Sequence, residues 1–248
     1  MALLQTERLT KHFEALTAVD QVDLRVESGT IHSLIGPNAA GKTTLFNLIS
    51  GELEPSAGRV VFNGQDITGL PTHRMPHLGL GRSFQRSNLF PKLTAFENVW
   101  VSTYACSDLG VWSLFRRARE LSTIRDRVQQ ILAEVGLSHK AHDRAGELSH
   151  GQQRALEVAI TLASSPTLLL LDEPTQGLSP EATQDMVKLI KYLGERYTIL
   201  LIEHKMPIVF SISDRISVMH FGQLIAQGKP AEIQRNKQVQ QAYLGVRR

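Results

Sequence analysis

The stretch Gly36-Pro37-Asn38-Ala39-Ala40-Gly41-Lys42-Thr43-Thr44 decides the fold of this chain. It fits the pattern GxxxxGK followed by Thr, and it lies between an apolar run typical of a strand and a helical spacing of Leu and Ile. Such a turn lets backbone N–H groups converge on phosphate oxygens, while Lys42 reaches the β- and γ-phosphates and Thr43 offers a hydroxyl to Mg²⁺. The order of strand, loop and helix therefore predicts a phosphate-binding site.

Acidic side chains follow a second apolar run, residues 168–171. A hard cation that bridges phosphates prefers an anionic oxygen, so Asp172 is predicted to complete the metal site with Thr43. The alternative is an ordinary buried strand that ends in a turn. Glu173, one residue further, is the candidate general base for an attacking water.

A third apolar run, residues 199–202, ends at Glu203 and His204. His204 then projects from the carboxyl edge of a sheet, where α/β proteins place ligands. It is a candidate contact for a γ-phosphate, although a lone His at such a position is often a solvated loop residue. Gln85, after the run 79–84, is a weaker candidate for touching the metal or the water through its amide.

A second candidate anion site is the segment Leu148-Ser149-His150-Gly151-Gln152-Gln153-Arg154. A Ser and a Gly followed at once by a long amphipathic pattern place a hydroxyl and backbone N–H groups at a helix N-terminus, where the helix dipole favours an anion. The chain therefore carries two predicted anion sites.

The order of elements predicts an α/β fold with a parallel sheet and right-handed crossovers. Alternation over residues 3–35 and the Asn-Gly turn within residues 58–64 indicate an antiparallel β piece. Gly51 is predicted to end the first helix. The sequence predicts mostly helix over residues 90–163. We expect this segment to form a subdomain within a single domain, 1–248. A helix is expected from about Pro180 to Tyr197.

Composition excludes several classes of protein. The formal charge of +3 reflects a slight excess of Lys and Arg without a polybasic tract, so nucleic-acid binding is not implied. The single cysteine, Cys106, excludes an intramolecular disulfide, suits a reducing compartment and reads as a small apolar filler. Without an apolar run of about 20 residues or a cleavable leader, the sequence reads as soluble and cytoplasmic.

Taken together, these segments resemble the ATP-binding cassette (ABC) family in the expected order over nearly the whole chain. The resemblance makes residues 36–44 the Walker A motif, Gln85 the Q-loop, residues 148–152 the signature, residues 168–173 the Walker B motif with its catalytic glutamate, and His204 the switch histidine. It implies a P-loop NTPase core with an N-terminal antiparallel β subdomain and an inserted helical subdomain. The implied cofactors are ATP and Mg²⁺.

The resemblance also implies partners. Two such subunits, identical or different, form a head-to-tail dimer in which each ATP lies between the Walker A motif of one subunit and the signature of the other. Ser149, His150, Gly151 and Gln152 then serve the partner's nucleotide. Phe13 is placed like the aromatic residue that stacks on adenine, with core or surface filler as the alternative. Transmembrane permease subunits, and indirectly a solute-binding protein, are expected at the cytoplasmic face of the plasma membrane.

Three positions depart from the family pattern. His150 replaces a Gly of the usual Leu-Ser-Gly-Gly-Gln signature, while Ser149 and Gly151 are retained. Ala39 stands where most cassettes have Gly, and we expect an αR or bridge conformation because a left-handed one costs on the order of 1 kcal/mol. The segment 176–181 lacks the Asp common in the D-loop, which puts communication across the dimer in doubt.

Within the family, the chain is similar to the ATPases of bacterial importers for branched-chain amino acids and their urea or amide relatives. The cues are residues 13–19, 151–157 and 176–180 and the tail Gln240-Gln241-Ala242-Tyr243-Leu244-Gly245. A lipopolysaccharide-export ATPase shares several of them and stays open as an alternative.

Two classes without a transport role also stay open. One is a soluble cassette that clamps nucleic acid or ribosomes, and the other is a regulatory cassette that binds nucleotide without hydrolysing it. For a transport ATPase, closure of the dimer is expected to reach the permease through a surface groove walled by residues 85–90 and the helical block.

Overall fold

The computed structural model of the chain describes residues 2–83, 89–107 and 117–244, and for residues 117–120 and 244 it describes the backbone alone. The strands are β1 (Ala2–Phe13), β2 (Leu16–Val22), β3 (Arg25–Glu27), β4 (Ile31–Ile35), β5 (Ala57–Phe62), β6 (Gln65–Asp66), β7 (Leu80–Arg82), β8 (Leu168–Asp172), β9 (Thr198–Ile202), β10 (Arg215–His220) and β11 (Gln223–Gly228). The helices are α1 (Lys42–Ile49), α2 (Ala95–Ala105), α3 (Arg117–Glu134), α4 (His150–Leu162), α5 (Pro180–Gly194), α6 (Met206–Ile212), α7 (Pro230–Arg235) and α8 (Lys237–Leu244).

The larger sheet carries the strands that the sequence marks by short apolar runs. Its order is β11-β10-β4-β9-β8-β7, and all neighbouring pairs are parallel except β10 with β11. Every residue of β4, β8 and β9 is buried, as expected for parallel strands covered on both faces. The predicted parallel sheet is confirmed.

The smaller sheet is antiparallel, with the order β2-β1-β5-β6 and with β3 paired to β1. Asn63 and Gly64 connect β5 to β6 and both have positive φ, 48° and 78°, which is the backbone twist that a tight hairpin turn needs. Helix α1 contributes its buried Leu45, Phe46 and Leu48 to the core shared by this sheet and one face of the larger one.

The other face of the larger sheet is covered by helices. The segment between β7 and β8 contains α2, α3 and α4, and their buried side chains form one core with those of β8, β9 and α5. Thr94 begins α2 with a reciprocal capping box, in which its hydroxyl accepts from Glu97 N–H and the Glu97 carboxylate accepts from Thr94 N–H. This segment holds the helices that the sequence predicts over residues 90–163.

Two helix ends test the sequence expectations. Helix α1 stops at Ile49, and Gly51 follows with φ 73°, so the predicted stop at Gly51 is confirmed. The predicted end of α5 at Tyr197 is wrong, because the helix closes at Gly194 and Tyr197 leads into β9. A β-carbon at Gly194 would lie 2.5 Å from Ile31 Cδ1, so tight packing accompanies the helix end.

Within the described ranges, no helix is both long and apolar enough to cross a membrane.

Candidate functional site

The glycine-rich loop joins the carboxyl end of β4 to the first residue of α1. Lys42 bends back over this loop, and its Nζ donates to the carbonyl oxygens of Gly36, at 2.8 Å, and Pro37, at 2.9 Å. Burial lowers the pKa of Lys42, and the negative charges of Glu173 and Asp172 oppose this shift. The ammonium group is therefore held at the loop, within electrostatic reach of both predicted acidic residues.

The backbone of the loop corrects one expectation. Ala39 has φ 61°, so the expected αR or bridge conformation is wrong and the residue is left-handed. Gly41, in the same loop, also has a positive φ, 98°, and a β-carbon there would lie 2.3 Å from the Ala18 carbonyl oxygen. Ala39 itself is exposed, so its methyl group meets no packed neighbour and the cost is the backbone strain alone.

The turn between β10 and β11 forms a hydrogen bond to the phosphate loop. The sequence did not predict this contact. Gly222 N–H donates to the Ala40 carbonyl at 3.1 Å, and Gly222 carbonyl accepts from Asp20 N–H on β2 at 2.9 Å. Phe221 in the same turn is 80% exposed and has φ 46°. The loop is thus fixed to both sheets at once.

The strand order brings the predicted site residues to one edge. Strand β9 lies between β4 and β8, so the loop after β4, the acidic pair at the end of β8 and His204 after β9 share the carboxyl edge of the sheet. This is where parallel α/β sheets bind ligands.

Asp172 is a buried carboxylate without hydrogen bonds. Among the described residues neither of its oxygens has a hydrogen-bond partner, and the nearest cation, Arg82 Nη2, is 3.9 Å from Oδ2. Burial raises the pKa of Asp172 to about 6, and Arg82 opposes this rise. Leaving a buried carboxylate unpaired is costly, and a bound cation would remove that cost.

Arg82 was not singled out by the sequence, yet it ties α1 to this carboxylate. Its guanidinium donates to Ser50 Oγ and, at 2.7 Å, to Asn47 Oδ1, and it lies 3.3 Å from Glu52 Oε2. Burial lowers the pKa of Arg82. A lone Arg at the end of a short strand gives no sequence signal, because its partners are 30 to 90 residues away.

Glu173 and His204 face each other beside the loop. Glu173 Oε1 lies 3.8 Å from His204 Nδ1, and both side chains remain open to solvent, at 21% and 49%. Glu173 has φ 48°, and its N–H donates to the Ile202 carbonyl at 3.0 Å. A strained backbone at the tip of a strand is common in functional sites, where it aims a side chain away from the sheet.

A buried carboxylate, that of Glu203, holds the backbone at His204. Glu203 is fully buried, shares a hydrogen bond with the Thr175 hydroxyl, and accepts from the N–H groups of His204, at 2.7 Å, and Lys205, at 3.3 Å. Lys205 Nζ donates to the Thr175 carbonyl at 3.2 Å. These contacts were missed from the sequence, although a Glu that ends an otherwise apolar strand was the available signal.

The donor set suits a magnesium ion that also binds phosphate. Across the described residues no group of three or more His, Cys, Asp or Glu side chains gathers as a metal site. Mg²⁺ in nucleotide sites instead uses one or two protein oxygens together with phosphates and water. The two unpartnered oxygens of Asp172 and the exposed Thr43 at the start of α1 fit that requirement.

The second predicted anion site lies at the start of α4. Ser149 is the N-cap, its hydroxyl accepts from Gln152 N–H at 3.3 Å, and the Gln152 side chain accepts from Ser149 N–H at 3.0 Å. Ser149 and His150 are exposed. A cavity of about 370 Å³ beside this helix end is lined by residues of α4 and α5 and by residues 135–139, and not by the phosphate loop. A β-carbon at Gly151 would lie 2.9 Å from Ala182 Cβ, so the helix end packs closely on α5.

Two predicted residues stand apart. Phe13 ends β1 with 43% exposure, and Lys11 Nζ lies 5.3 Å from its ring centroid, so the alternative of a core residue does not fit. Gln85 lies outside the described residues, as do residues 84 and 86–88. Leu89 packs against the helical core, whereas Phe90 is 53% exposed.

Comparison with known proteins gives a consistent result. Residues 19–176 match the family described as "ABC transporter", and residues 223–248 match "Branched-chain amino acid ATP-binding cassette transporter". The chain is 40% identical to the high-affinity branched-chain amino acid transport ATP-binding protein BraF of Pseudomonas aeruginosa, over 98% of each chain. It is 32% identical to the lipopolysaccharide export system ATP-binding protein LptB of Haemophilus influenzae, over 99% of this chain and 98% of LptB.

The solved structures agree with the sequence comparison. The ADP conformation of MJ1267, an ATP-binding cassette of an ABC transporter, superposes with a TM-score of 0.84 at 31% identity, over 99% of both chains. The phosphate loop, the edge that gathers Asp172, Glu173 and His204, and these matches lead to one conclusion: the chain belongs to the ABC transporter family, as an ATP-binding subunit whose ATP hydrolysis is coupled to transport.

Proposed function

We propose that this chain powers the import of branched-chain amino acids or related amino acids and amides. The observation that carries the proposal is the tail, because residues 223–248 match the C-terminal region of branched-chain amino acid cassettes in addition to the general family match. The identity to BraF, 40%, also exceeds the identity to LptB, 32%, at similar coverage.

The phosphate loop holds the triphosphate. Backbone N–H groups of residues 38–44 converge on its oxygens, and the Lys42 ammonium leaves the carbonyls of Gly36 and Pro37 to reach the β- and γ-phosphates. The proposal is supported by the position of Nζ, which among the described residues donates to two carbonyl oxygens of the loop. Phe13, exposed on the first hairpin, stacks on the adenine.

Glu173 orients or deprotonates the attacking water, and His204 steadies the γ-phosphate. Their separation of 3.8 Å lets both groups reach one small molecule between or beside them. Glu203 and Thr175 hold the backbone at His204, so that the imidazole keeps its place at the edge of the sheet.

Asp172 and Thr43 hold the metal, together with Gln85. When bound, Mg²⁺ neutralises charge on the β- and γ-phosphates and thereby favours attack by water. The unpartnered oxygens of Asp172 support this assignment. Arg82 keeps that carboxylate oriented by linking it to the end of α1.

The signature segment serves a second subunit. Ser149, His150, Gly151 and Gln152 contact the nucleotide bound to the partner, so that ATP closes a head-to-tail dimer and hydrolysis reopens it. Two observations support this arrangement. The N-terminus of α4 is exposed, and the cavity beside it is not lined by residues of the phosphate loop. One subunit then carries two half-sites.

A groove of about 230 Å³ is our proposed contact for the membrane permease. It is lined by residues of β7, α2 and α4, among them Arg82, Ser102, Cys106 and Glu157, and its surface is largely apolar. Because Arg82 also reaches Asp172, movement at the groove is linked to the metal site. The subunit would act at the cytoplasmic face of the membrane, with a solute-binding protein on the opposite side.

Isolation of the chain from membranes with its attached proteins, followed by reconstitution in liposomes, tests this proposal. We expect a permease to accompany the chain and ATP to drive uptake of labelled leucine or valine, with no uptake for Lys42→Ala. Copurification with components that move lipopolysaccharide would favour the export alternative. Recovery with ribosomes or nucleic acid and without a permease would contradict membrane transport altogether.

A further inference from the structure

The C-terminal helix α8 packs on the part of the larger sheet that leads into the phosphate loop. Tyr243 contacts the small apolar core that contains Ile35, the last residue of β4, together with Ile216 and Val218 of β10. Gly36, the first residue of the loop, follows Ile35 in the chain. The tail that distinguishes the branched-chain cassettes therefore packs against the strand that leads into the phosphate loop.

The hydroxyl of Tyr243 is buried beside this loop. Burial raises the pKa of Tyr243 to about 12, and the nearby backbone N–H of Gly36 opposes that rise. Within the described chain no group meets hydrogen-bond geometry at this oxygen. A buried hydroxyl without a partner is unfavourable, so a closer partner would stabilise it.

Gly36 is a neighbour of both the Tyr243 hydroxyl and the Lys42 ammonium group. Its carbonyl accepts from Lys42 Nζ at 2.8 Å, and no backbone carbonyl of the described residues accepts its N–H. A β-carbon at Gly36 would lie 2.3 Å from the Met219 carbonyl oxygen, so β10 closes the remaining side. Gly36 is thus confined by β10, Lys42 and Tyr243.

We propose that Tyr243 is a positioning residue for the phosphate loop: its hydroxyl accepts the Gly36 N–H once nucleotide draws Lys42 away from the Gly36 carbonyl, and so fixes the loop in its binding shape. The inference rests on the proposed nucleotide role of Lys42. It gives the C-terminal helix a function in nucleotide binding, in addition to its apolar packing.

The Gly36 amide gives a direct readout, because residues 35 and 36 form the one Ile-Gly pair in the sequence. Labelling with ¹³C-carbonyl isoleucine and ¹⁵N-glycine therefore isolates this amide by NMR. Titrating ADP into the full chain, we expect the Gly36 amide proton to move downfield. In Tyr243→Phe this movement should shrink, and the Kd for ADP should rise about threefold to tenfold, the loss typical of one hydrogen bond.

Tyr197→Phe is the matched control, since it removes another tyrosine hydroxyl, which donates to Glu134 at 3.2 Å far from the loop. It should leave both the Gly36 shift and the Kd for ADP unchanged. Equal Kd values and equal Gly36 shifts in Tyr243→Phe and wild type would overturn the inference. If Tyr243→Phe does not fold, a Gly36 amide in the wild type that is indifferent to ADP overturns it. Lys42→Ala separates this inference from the proposed function. If Lys42→Ala loses ADP binding while Tyr243→Phe binds ADP like the wild type, the nucleotide site is upheld and only the role of Tyr243 is refuted.

Discussion

Glu173 Oε1 lies 3.8 Å from His204 Nδ1, although the two residues follow different strands of the sheet. Strand β9 pairs with β8, so His204 lies beside the residues that follow β8, and Glu173 has a positive φ, 48°. In the proposed function, the pair marks the point where a water and a terminal phosphate would meet.

Replacement of His204 tests its part in this pair. We expect His204→Ala to lower kcat for ATP hydrolysis at least tenfold, because positioned groups of this kind contribute roughly 10²- to 10⁴-fold. The Kd for ATP should stay within threefold, since the phosphate loop is intact. His73→Ala, which alters an exposed histidine on another surface, is the control. A His204→Ala variant that hydrolyses ATP at the wild-type rate would contradict the role at the γ-phosphate.

Asp172 gives a prediction about pH and stability. Its pKa in the folded protein, about 6, lies above the ordinary value of 3.8, so the folded state binds this proton more tightly than the unfolded chain. The contribution of Asp172 to stability is therefore fully present below pH 4 and is lost as the pH rises through 6. Without metal at pH 8, Asp172→Asn should raise the free energy of unfolding, by up to about 3 kcal/mol.

Urea denaturation at pH 4 and pH 8 measures this effect. The gain in Asp172→Asn should be present at pH 8 and nearly absent at pH 4, and Mg²⁺-dependent hydrolysis should disappear. Asp185→Asn, which changes an exposed carboxylate, should leave stability unchanged at both pH values. A variant less stable than wild type at pH 8 would show that the carboxylate is not an uncompensated buried charge.

Because Ala39 has a left-handed backbone, we expect its replacement by glycine to affect stability differently from an ordinary Ala→Gly change. Ala39→Gly removes a backbone strain of about 1 kcal/mol but gives the unfolded chain more freedom, so the free energy of unfolding should stay unchanged or rise by up to about 1 kcal/mol. Ala133→Gly, in the exposed part of α3, should lower it by about 1 kcal/mol. Thermal denaturation of the two variants checks the difference in sign, and a similar loss in both would refute the strain at Ala39.

The support beneath His204 depends on Thr175. In Thr175→Val the buried Glu203 loses its hydroxyl partner, so we expect the free energy of unfolding to fall by about 1–3 kcal/mol and kcat to fall with it. Thr103→Val is the matched control, because among the described residues the Thr103 hydroxyl donates to the Val99 carbonyl of its own helix, α2. It should cost less than about 1 kcal/mol and leave kcat unchanged. A loss in Thr175→Val no larger than in the control would contradict the role of Glu203.

The sequence predicts the parts of this molecule that depend on neighbouring residues. The phosphate loop, the apolar strands and the cap at Ser149 are short patterns, and each gives its structure locally. The conformation of Ala39 was predicted wrongly because Gly41 packs on Ala18 and the Ala40 carbonyl bonds Gly222, and both contacts are distant in sequence. The contacts of Arg82, and the packing of Tyr243 beside the end of β4, could not be predicted for the same reason, since their partners come from other elements.

ATP-dependent dimerisation of Glu173→Gln tests the central claim most directly. This variant should bind ATP and lose turnover, because the amide keeps the shape of the side chain but cannot accept the proton. Light scattering after size exclusion, with ATP and Mg²⁺, should then show a stable dimer that ADP does not support and that Lys42→Ala introduced into the same variant abolishes. A Glu173→Gln protein that hydrolyses ATP like the wild type, or that stays monomeric with saturating ATP, would contradict the account.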